Sequence, residues 1–532
     1  MRDVLRDRQQ WGRHTMVSTG SAAATLAALD VLDEGGCAFD AALTASAVMT
    51  VTMPMASGPG GDAVAVLHVA GGAEAVALTG LGRAPMAATI DAFARRGHST
   101  VPIDGILSAV TPGLLDAWFA LHRAYGTMPL HRLLAPAVRL AEDGVVVTGQ
   151  TTRWIKDNLA LLIQPGFAEV YAPCATRAAV GSLLRQPGLG GLYRMVGEAG
   201  VTAAEVRRAV GERIARVSTE LDGLLATDDF VADTSELTPA ATAVIGGHRV
   251  ASTPAPTQGP LLLQNLLLYE RRAEGLSPGS AESVHLLAEI VNQTYGWRLD
   301  NLADPRFASF DDPLDPGVVD SLDAGVDPER RSPSRYAGHY SAGDTTHLAV
   351  VDRAGNAVSW VQSLGLGFGA GVGVPEWGLL LGNRLGRSTT LNPSHANRCE
   401  PGKRPVNTIL PWSVSTPSGV RWLGGTPGGD GQTQWNAQVL GDLLVHGASP
   451  AAALGRPRWT YFPGSDKVEA ALPPQLHVDA DMPAGTREDL RQRGHDVVTK
   501  ASVGGVLRVL GCAPDHRYGL DDGRQEGLTA GR

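Results

Sequence analysis

Along the first third of the chain, apolar residues recur at helical spacing and are punctuated by glycine. Ser18-Thr19-Gly20-Ser21 offers side-chain oxygens for a helix start. Leu26, Leu29 and Leu32 then share one face until Gly35-Gly36 ends the helix. Residues 39–51 read as a second apolar helix. Ser57-Gly58-Pro59-Gly60-Gly61 interrupts the pattern, and the run 63–69 behind it reads as a strand. Thr111-Pro112-Gly113 opens a helix over 114–125, which Gly126 stops. The stretch 176–240 is mixed and mostly helical, and no internal repeat is found.

The pattern changes after residue 304. Residues 304–343 are rich in Asp, Pro, Ser and Gly and predict little regular structure. Two strand-like runs follow, 347–351 and 357–362, around the polar turn Asp352-Arg353-Ala354-Gly355-Asn356, which predicts a hairpin. Further β-rich runs lie at 378–381, 409–415 and 420–424, and a helix at 433–446 carries Trp435, Val439, Leu440 and Leu443. Strands late in the chain, with helices before and among them, predict layered α/β packing.

Composition narrows the function classes. With 532 residues and 43% hydrophobic content, the chain can bury a large core and is no disordered tail. The net charge is −9 and no Lys/Arg run stands out, which argues against nucleic acid and for a small-molecule partner. Cys37, Cys174, Cys399 and Cys512 form no Cys-x-x-Cys pair, so they read as reduced thiols in a cytoplasmic setting. The charged start MRDVLRDRQQWGRH has no apolar run behind it, so neither a signal peptide nor a membrane span is expected.

The candidate chemistry sits at Asp344-Thr345-Thr346-His347, where the polar linker meets the hairpin. A threonine at a strand start is ordinary. A chain break before it would change its meaning. The new α-amine titrates near neutrality and serves the hydroxyl as a built-in general base. An exposed linker is also where a break is tolerated.

Motifs along nearly the whole chain resemble the γ-glutamyltransferase (γ-glutamyl transpeptidase) family of N-terminal-nucleophile hydrolases. They are DVLDEGGCAFDAA (30–42), SGPGGD (57–62), GLGRAP (80–85), TPGLLDAWFALHRAYGTMPL (111–130) and PAVRLAEDG (136–144). Later come GDTTHLAVVDRAGNAVS (343–359), FGAGVGVPEWGLLL (368–381), PGKRP (401–405) and GGTPGGDGQ (424–432). The resemblance implies a proenzyme that cuts itself between Asp344 and Thr345. Residues 1–344 and 345–532 would become a large and a small subunit of one four-layer αββα sandwich, with a dimer of such pairs as one assembly it allows. It implies Thr345 as nucleophile and Ser363 as a second hydroxyl beside it. Gly428 and Gly429 become oxyanion donors, a contribution of roughly 3 kcal/mol per donor. Arg83 becomes the grip on a substrate carboxylate, with Asn407 and Thr408 standing where the family has paired serines. No metal or cofactor is required; the acceptor is water or an amine.

The pattern also departs from that family. Where true γ-glutamyltransferases hold the substrate's α-ammonium with an Asn, an amide and an Asp, this chain has Gly365, Arg384 and approximately Arg387. One like-charge contact at about 4 Å costs roughly 4 kcal/mol at an effective dielectric near 20. The Asn383-Arg384 pairing, together with Asn392-Pro393-Ser394-His395-Ala396-Asn397 before PGKRP, more closely resembles the branch with oxamate amidohydrolase and acylases, which implies acyl groups (oxamate-like or glutaryl-like) that carry a carboxylate and no α-ammonium. A glutathione hydrolase acting on γ-glutamyl amides is the alternative. A plainer placement has Arg384 and Arg387 facing solvent or paired with Glu376 or Glu400, and His395 as an ordinary loop residue.

Rival classes have weaker support. Gly275-Leu276-Ser277-Pro278-Gly279 matches the serine-hydrolase G-x-S-x-G, but proline after the serine removes an oxyanion N–H. A non-catalytic relative would not need Thr345, Thr346, Gly428 and Gly429 together. Neither a P-loop nor an HExxH motif is present.

Overall fold

The polar turn at 352–356 does what its composition predicts: strand Asp344–Val351 folds back on Ala357–Gly365 as an antiparallel hairpin. The computed structural model describes residues 9–162, 164, 166–335, 344–462 and 474–532. From residue 345 onward both strands of the hairpin are buried, as strands covered on both faces must be. They sit at the centre of a seven-stranded antiparallel sheet. Its order is Leu528–Gly531, Met16–Thr19, Asp344–Val351, Ala357–Gly365, Asp62–His68, Val76–Gly80, Ser235–Pro239.

A second seven-stranded antiparallel sheet faces it. Its order is Gln10–Gly12, Arg517–Asp521, Arg508–Cys512, Gly419–Gly425, Trp412–Thr416, His248–Ser252, Ala241–Ile245. The layer between the sheets is made of small apolar clusters. One joins Met16, Ala349, Val351 and Ala357 to Leu423 and Leu510, and another joins Val64 and Val361 to Leu81 and Ile409.

Helices cover the outer faces. Ala22–Asp33, Ala38–Thr52, Leu114–Tyr125 and Leu130–Asp143 share one large core with the Thr345 sheet. Gly259–Arg272, Ala281–Asn301 and Gly431–Leu444 share another with the second sheet. The result is a four-layer αββα sandwich, the architecture that the resemblance implies.

Three expectations change. The helix 22–33 buries Ala24, Ala27, Ala28, Leu29 and Val31, while Leu26 is 50% exposed. Short alanine side chains let the helix lie close on its neighbours, and that outweighs the pull of one leucine. Thr19, expected in the cap, ends the strand Met16–Thr19 instead and accepts the Ser21 N–H at 3.1 Å. The linker contains a helix, Pro316–Ala324, started by Asp315 as cap with proline at the first helical position. Residues 336–343, just before the expected break, lie outside the described residues.

All four cysteines are free thiols. Among the described residues, no helix is long and apolar enough to cross a membrane. Gly275–Gly279 follows the helix Gly259–Arg272, not a strand, so a nucleophile elbow is not built there.

His68 ties the sheets together by a 2.8 Å hydrogen bond to Ser413. Burial lowers its imidazole from the usual 6.5 to about 4, so the folded protein holds it neutral. The same sign holds for His477, lowered to about 4 by burial and by Lys500. The unfolded chain takes up these protons first. Stability is therefore full above about pH 6.5 and is lost as pH falls toward 4, at up to about 1.4 kcal/mol per pH unit for the buried His68 and less for His477, which solvent screens. Thermal melts across that window should show a falling Tm, with a shallower slope in His68→Asn.

Candidate active site

Thr345 lies where the hairpin register slips. Asp344 pairs with Gly365 but Thr346 pairs with Gln362, so Ser363 and Leu364 stand opposite the single Thr345. A bulge of this kind re-aims a side chain without ending the ladder. Thr346 points toward the helix layer, where its hydroxyl reaches Met53 Sδ at 3.5 Å. The Thr345 hydroxyl donates to Ser363 Oγ at 3.1 Å, and both residues are buried. Ser363 Oγ in turn accepts the Gly365 N–H at 2.9 Å, which fixes the second hydroxyl.

Gly365 is shaped by its neighbours. Its φ is +104°, and a Cβ there would lie 2.2 Å from Asn383 Oδ1. That carbonyl accepts the Leu366 N–H at 3.1 Å, while the Asn383 amide donates to Ile103 O at 2.9 Å. Arg387 donates to Gly365 O. The place where a γ-glutamyltransferase keeps an asparagine therefore has no room for one, and Arg387 holds the turn by its backbone.

Arg384 and Arg387 are both buried, at 2% exposure, which rules out the solvent-facing placement. The expected partners are engaged elsewhere: Glu376 pairs with Arg216, and Glu400 with Arg398 and Lys403. Arg384 pairs instead with Asp62, Nε to Oδ2 at 3.6 Å, and its Nη1 donates to Thr408 Oγ1 at 3.4 Å. Asp62 stands opposite Ser363 in the sheet. Its other contacts are the Gly82 N–H and the Asn407 amide, each at 2.8 Å. Burial pushes the Asp62 carboxyl up from its usual range, and Arg384 pulls it back. The charge at Arg384 is thus largely balanced within the protein, so the simple repulsion argument for that residue weakens.

Asp62 is one of the residues that the sequence alone does not single out. It closes the quoted SGPGGD motif ahead of an apolar strand, and a carboxylate entering a buried strand is a signal that it has a cationic partner. Through it Arg384, Asn407 and, via Gly82, the Arg83 loop converge on the strand beside Ser363.

Arg83 is half-buried and donates to Asp233 O at 3.0 Å. Desolvation first, then the charges of Arg404 and Arg306, lower its proton affinity. Arg404 donates to Thr234 O at 2.8 Å and pairs with Glu236 at 2.9 Å; Arg306 pairs with Asp304 at 2.6 Å. Among the described residues, the buried Nε groups of Arg83 and Arg404 have no hydrogen-bond partner. Three guanidiniums against two carboxylates make a cationic cluster. Arg404 and Arg306 were not singled out from sequence, although Arg404 stands in the PGKRP motif.

Gly428 and Gly429 adopt φ of +126° and +55°. A Cβ on Gly428 would strike the Trp435 ring at 2.3 Å, so only glycine fits. Among the described residues neither N–H donates to a protein acceptor. Asp430, paired with the buried Arg298 at 3.2 Å, anchors the turn to the helix Ala281–Asn301. The strand Gly419–Gly425 that leads into the turn ends against His347, whose ring a Cβ on Gly425 would meet at 2.5 Å. His347 hydrogen-bonds Ser359 at 3.0 Å, and Ser359 donates to Gly424 O at 2.9 Å, so the two sheets are joined close to the Thr345 end of its strand. His395 lies apart, its Nδ1 accepting the Asn397 N–H at 2.9 Å within its own turn.

The arrangement offers a buried hydroxyl pair, a turn with two open amides and a cationic cluster, a set suited to acyl transfer. Comparison with known proteins agrees. The Gamma-glutamyltranspeptidase family profile matches residues 24–531. An oxamate amidohydrolase proenzyme of Klebsiella pneumoniae subsp. pneumoniae is 30% identical over 537 residues, spanning 97% of this chain and 98% of its own. A glutathione hydrolase-like proenzyme of Bacillus subtilis (strain 168) is 31% identical over 459 residues, 85% of each chain. The crystal structure of a cephalosporin acylase from Bacillus halodurans superposes with a TM-score of 0.88 at 27% identity, covering 98% of this chain and 97% of that one. With the fold and nearly the full length shared, the chain belongs to the gamma-glutamyltranspeptidase family of N-terminal-nucleophile enzymes that cleave amides.

Proposed function

We propose that the chain matures by cleavage between Asp344 and Thr345, giving portions 1–344 and 345–532, and that the freed Thr345 then hydrolyses a small amide whose acyl group carries a carboxylate. The observation that carries the substrate reading is the gathering of Arg83, Arg306 and Arg404 around only two carboxylates, Glu236 and Asp304. A carboxylate fits a guanidinium fork with directional, charge-assisted hydrogen bonds. Asn407 and Thr408, joined to Arg384 through Asp62 and directly, would flank the acyl group rather than grip it alone.

In the first step the Thr345 amine takes the hydroxyl proton and Oγ attacks the amide carbonyl. The N–H groups of Gly428 and Gly429 hold the oxyanion, and the amine leaves with the proton. Water then attacks the ester, and the acid and free hydroxyl are restored. Ser363 supports the nucleophile by accepting its hydroxyl hydrogen bond before the break. The same hydroxyl, attacking the Asp344 carbonyl, would drive the self-cleavage.

A γ-glutamyl substrate would bring an α-ammonium that needs a carboxylate. Asp62 is the acid beside Ser363, and its oxygens are taken by Gly82, Asn407 and Arg384. Kinetics of purified protein with oxamate, a glutaryl amide and a γ-glutamyl anilide distinguish the readings. We expect kcat/KM for one of the first two to exceed that for the anilide by about 100-fold, the equivalent of about 2.7 kcal/mol. Equal or faster turnover of the γ-glutamyl anilide overturns the oxamate-like or glutaryl-like assignment and favours a glutathione hydrolase.

A further inference from the structure

In the helix layer of the second sheet, outside the site described above, three ligand-type side chains meet. His285 and Glu289 sit one turn apart on the helix Ala281–Asn301, and His495 follows the helix Ala484–Gln492. All three are buried, and one donor atom from each lies within 4.8 Å of the others. We propose that His285, Glu289 and His495 form a site for one divalent transition-metal ion of the zinc class.

The hydrogen bonds fix which atoms face inward. His285 Nε2 lies 3.0 Å from the Asp327 carbonyl, which can only accept, so Nε2 carries the proton. Nδ1 of His285 therefore presents its lone pair to the cluster, with its outer N–H locked on a backbone carbonyl, as ligating histidines commonly are. His495 Nε2 lies 2.8 Å from that Nδ1 and donates to it. Two imidazole nitrogens on a tetrahedral zinc, each at about 2.0–2.1 Å from the metal, stand roughly 3.3 Å apart. A small separation of the rings, with the His495 proton moved to its other nitrogen, opens the place.

Glu289 supplies the independent sign of a missing partner. Its Oε2 accepts the Ser332 N–H at 3.0 Å, but Oε1 is buried and, among the described residues, has no hydrogen-bond partner. A bare carboxylate oxygen inside a protein is costly unless something positive meets it. Two neutral imidazoles and a carboxylate suit zinc and its neighbours, not Mg2+ or Ca2+, and three protein ligands leave a fourth position for water.

The site lies under the segment leading to Thr345. Arg331 N–H donates to Arg493 O at 2.8 Å, Arg335 N–H to Asn292 Oδ1 at 3.0 Å, and Asn292 to Pro333 O at 3.1 Å. Glu289 would then bridge the ion and Ser332, so an occupied site would stiffen the strap at residues 331–335.

The test uses the full chain, stripped with chelator, loaded with Zn2+ and desalted. Metal analysis should find one Zn2+ per wild-type chain, little Mg2+ uptake, and at least about tenfold weaker zinc binding in Glu289→Gln and His495→Ala. Amide exchange at Ser332 should slow when zinc is added. Loading the unmodified protein with Co2+ should give the visible absorption of a tetrahedral ion, which keeps the proposal testable if a variant fails to fold. Substoichiometric zinc in the wild type, undiminished zinc in both folded variants, or a Co2+ spectrum without tetrahedral character overturns it.

Discussion

Replacing Thr345 with alanine should leave the protein as a single 55.5 kDa chain and lower amide turnover by at least about a thousandfold. The size of the effect follows from the proposed chemistry. One hydroxyl would serve twice, first against the Asp344 carbonyl and then against substrate, so its loss stops both events. The fold itself should survive. Thr345 contributes one side-chain hydrogen bond, to Ser363, and losing a single such bond typically costs only about 1 kcal/mol. A denaturing gel and the intact mass read the first event, and amide release reads the second. Thr345→Ser should retain both at reduced rate. Two fragments from Thr345→Ala, or activity within tenfold of wild type, would remove Thr345 from the mechanism.

The second large effect is expected at the Asp62–Arg384 pair, whose side chains are 4% and 2% exposed. Arg384→Met leaves a buried carboxylate without its cation, a situation that costs about 3–5 kcal/mol. Replacing both partners, Asp62→Asn with Arg384→Met, should recover part of that loss, because no charge is then left stranded. Urea unfolding of the four proteins in this cycle measures the coupling. The pH dependence has a defined sign. Burial already raises the Asp62 carboxyl, and without Arg384 the largest influence pulling it back is gone, leaving Gly82, Asn407 and Arg404. The acid form is then favoured in the folded state, so the Arg384→Met deficit should narrow as pH falls toward the ordinary carboxyl range and widen above it. A single-variant loss under about 1 kcal/mol would mean that Asp62 is compensated by Asn407 and Gly82 alone.

Local signals were read well from the sequence. The turn at 352–356 set the hairpin, and the helix Leu114–Tyr125 begins and ends where Gly113 and Gly126 place it. The order of motifs led to the fold and family. What escaped was non-local. Met16–Thr19 is a strand because Asp344–Val351 and Leu528–Gly531 flank it, and nothing in four residues announces two distant partners. The arginines at 384 and 387 were read as charge offered to substrate or solvent. Their burial depends on Asp62 and on the Gly365 carbonyl, which only folding brings alongside. The charge around Arg83 gained Arg404 and Arg306 for the same reason.

The strand order of the two sheets has one more consequence. In the Thr345 sheet, Met16–Thr19 sits between Leu528–Gly531 and Asp344–Val351, so strands from before and after the break interleave, and the second sheet likewise takes strands from both parts. A break before Thr345 therefore severs one peptide bond while leaving each piece clamped between strands of the other. Neither fragment owns a finished seven-stranded sheet: the amino-terminal piece made by itself would expose the raw edges of Met16–Thr19 and Asp62–His68 to any passing chain. Assembly of the whole polypeptide must come before the cut, and a mixture of separately synthesised halves is a recipe for aggregation rather than for reconstitution.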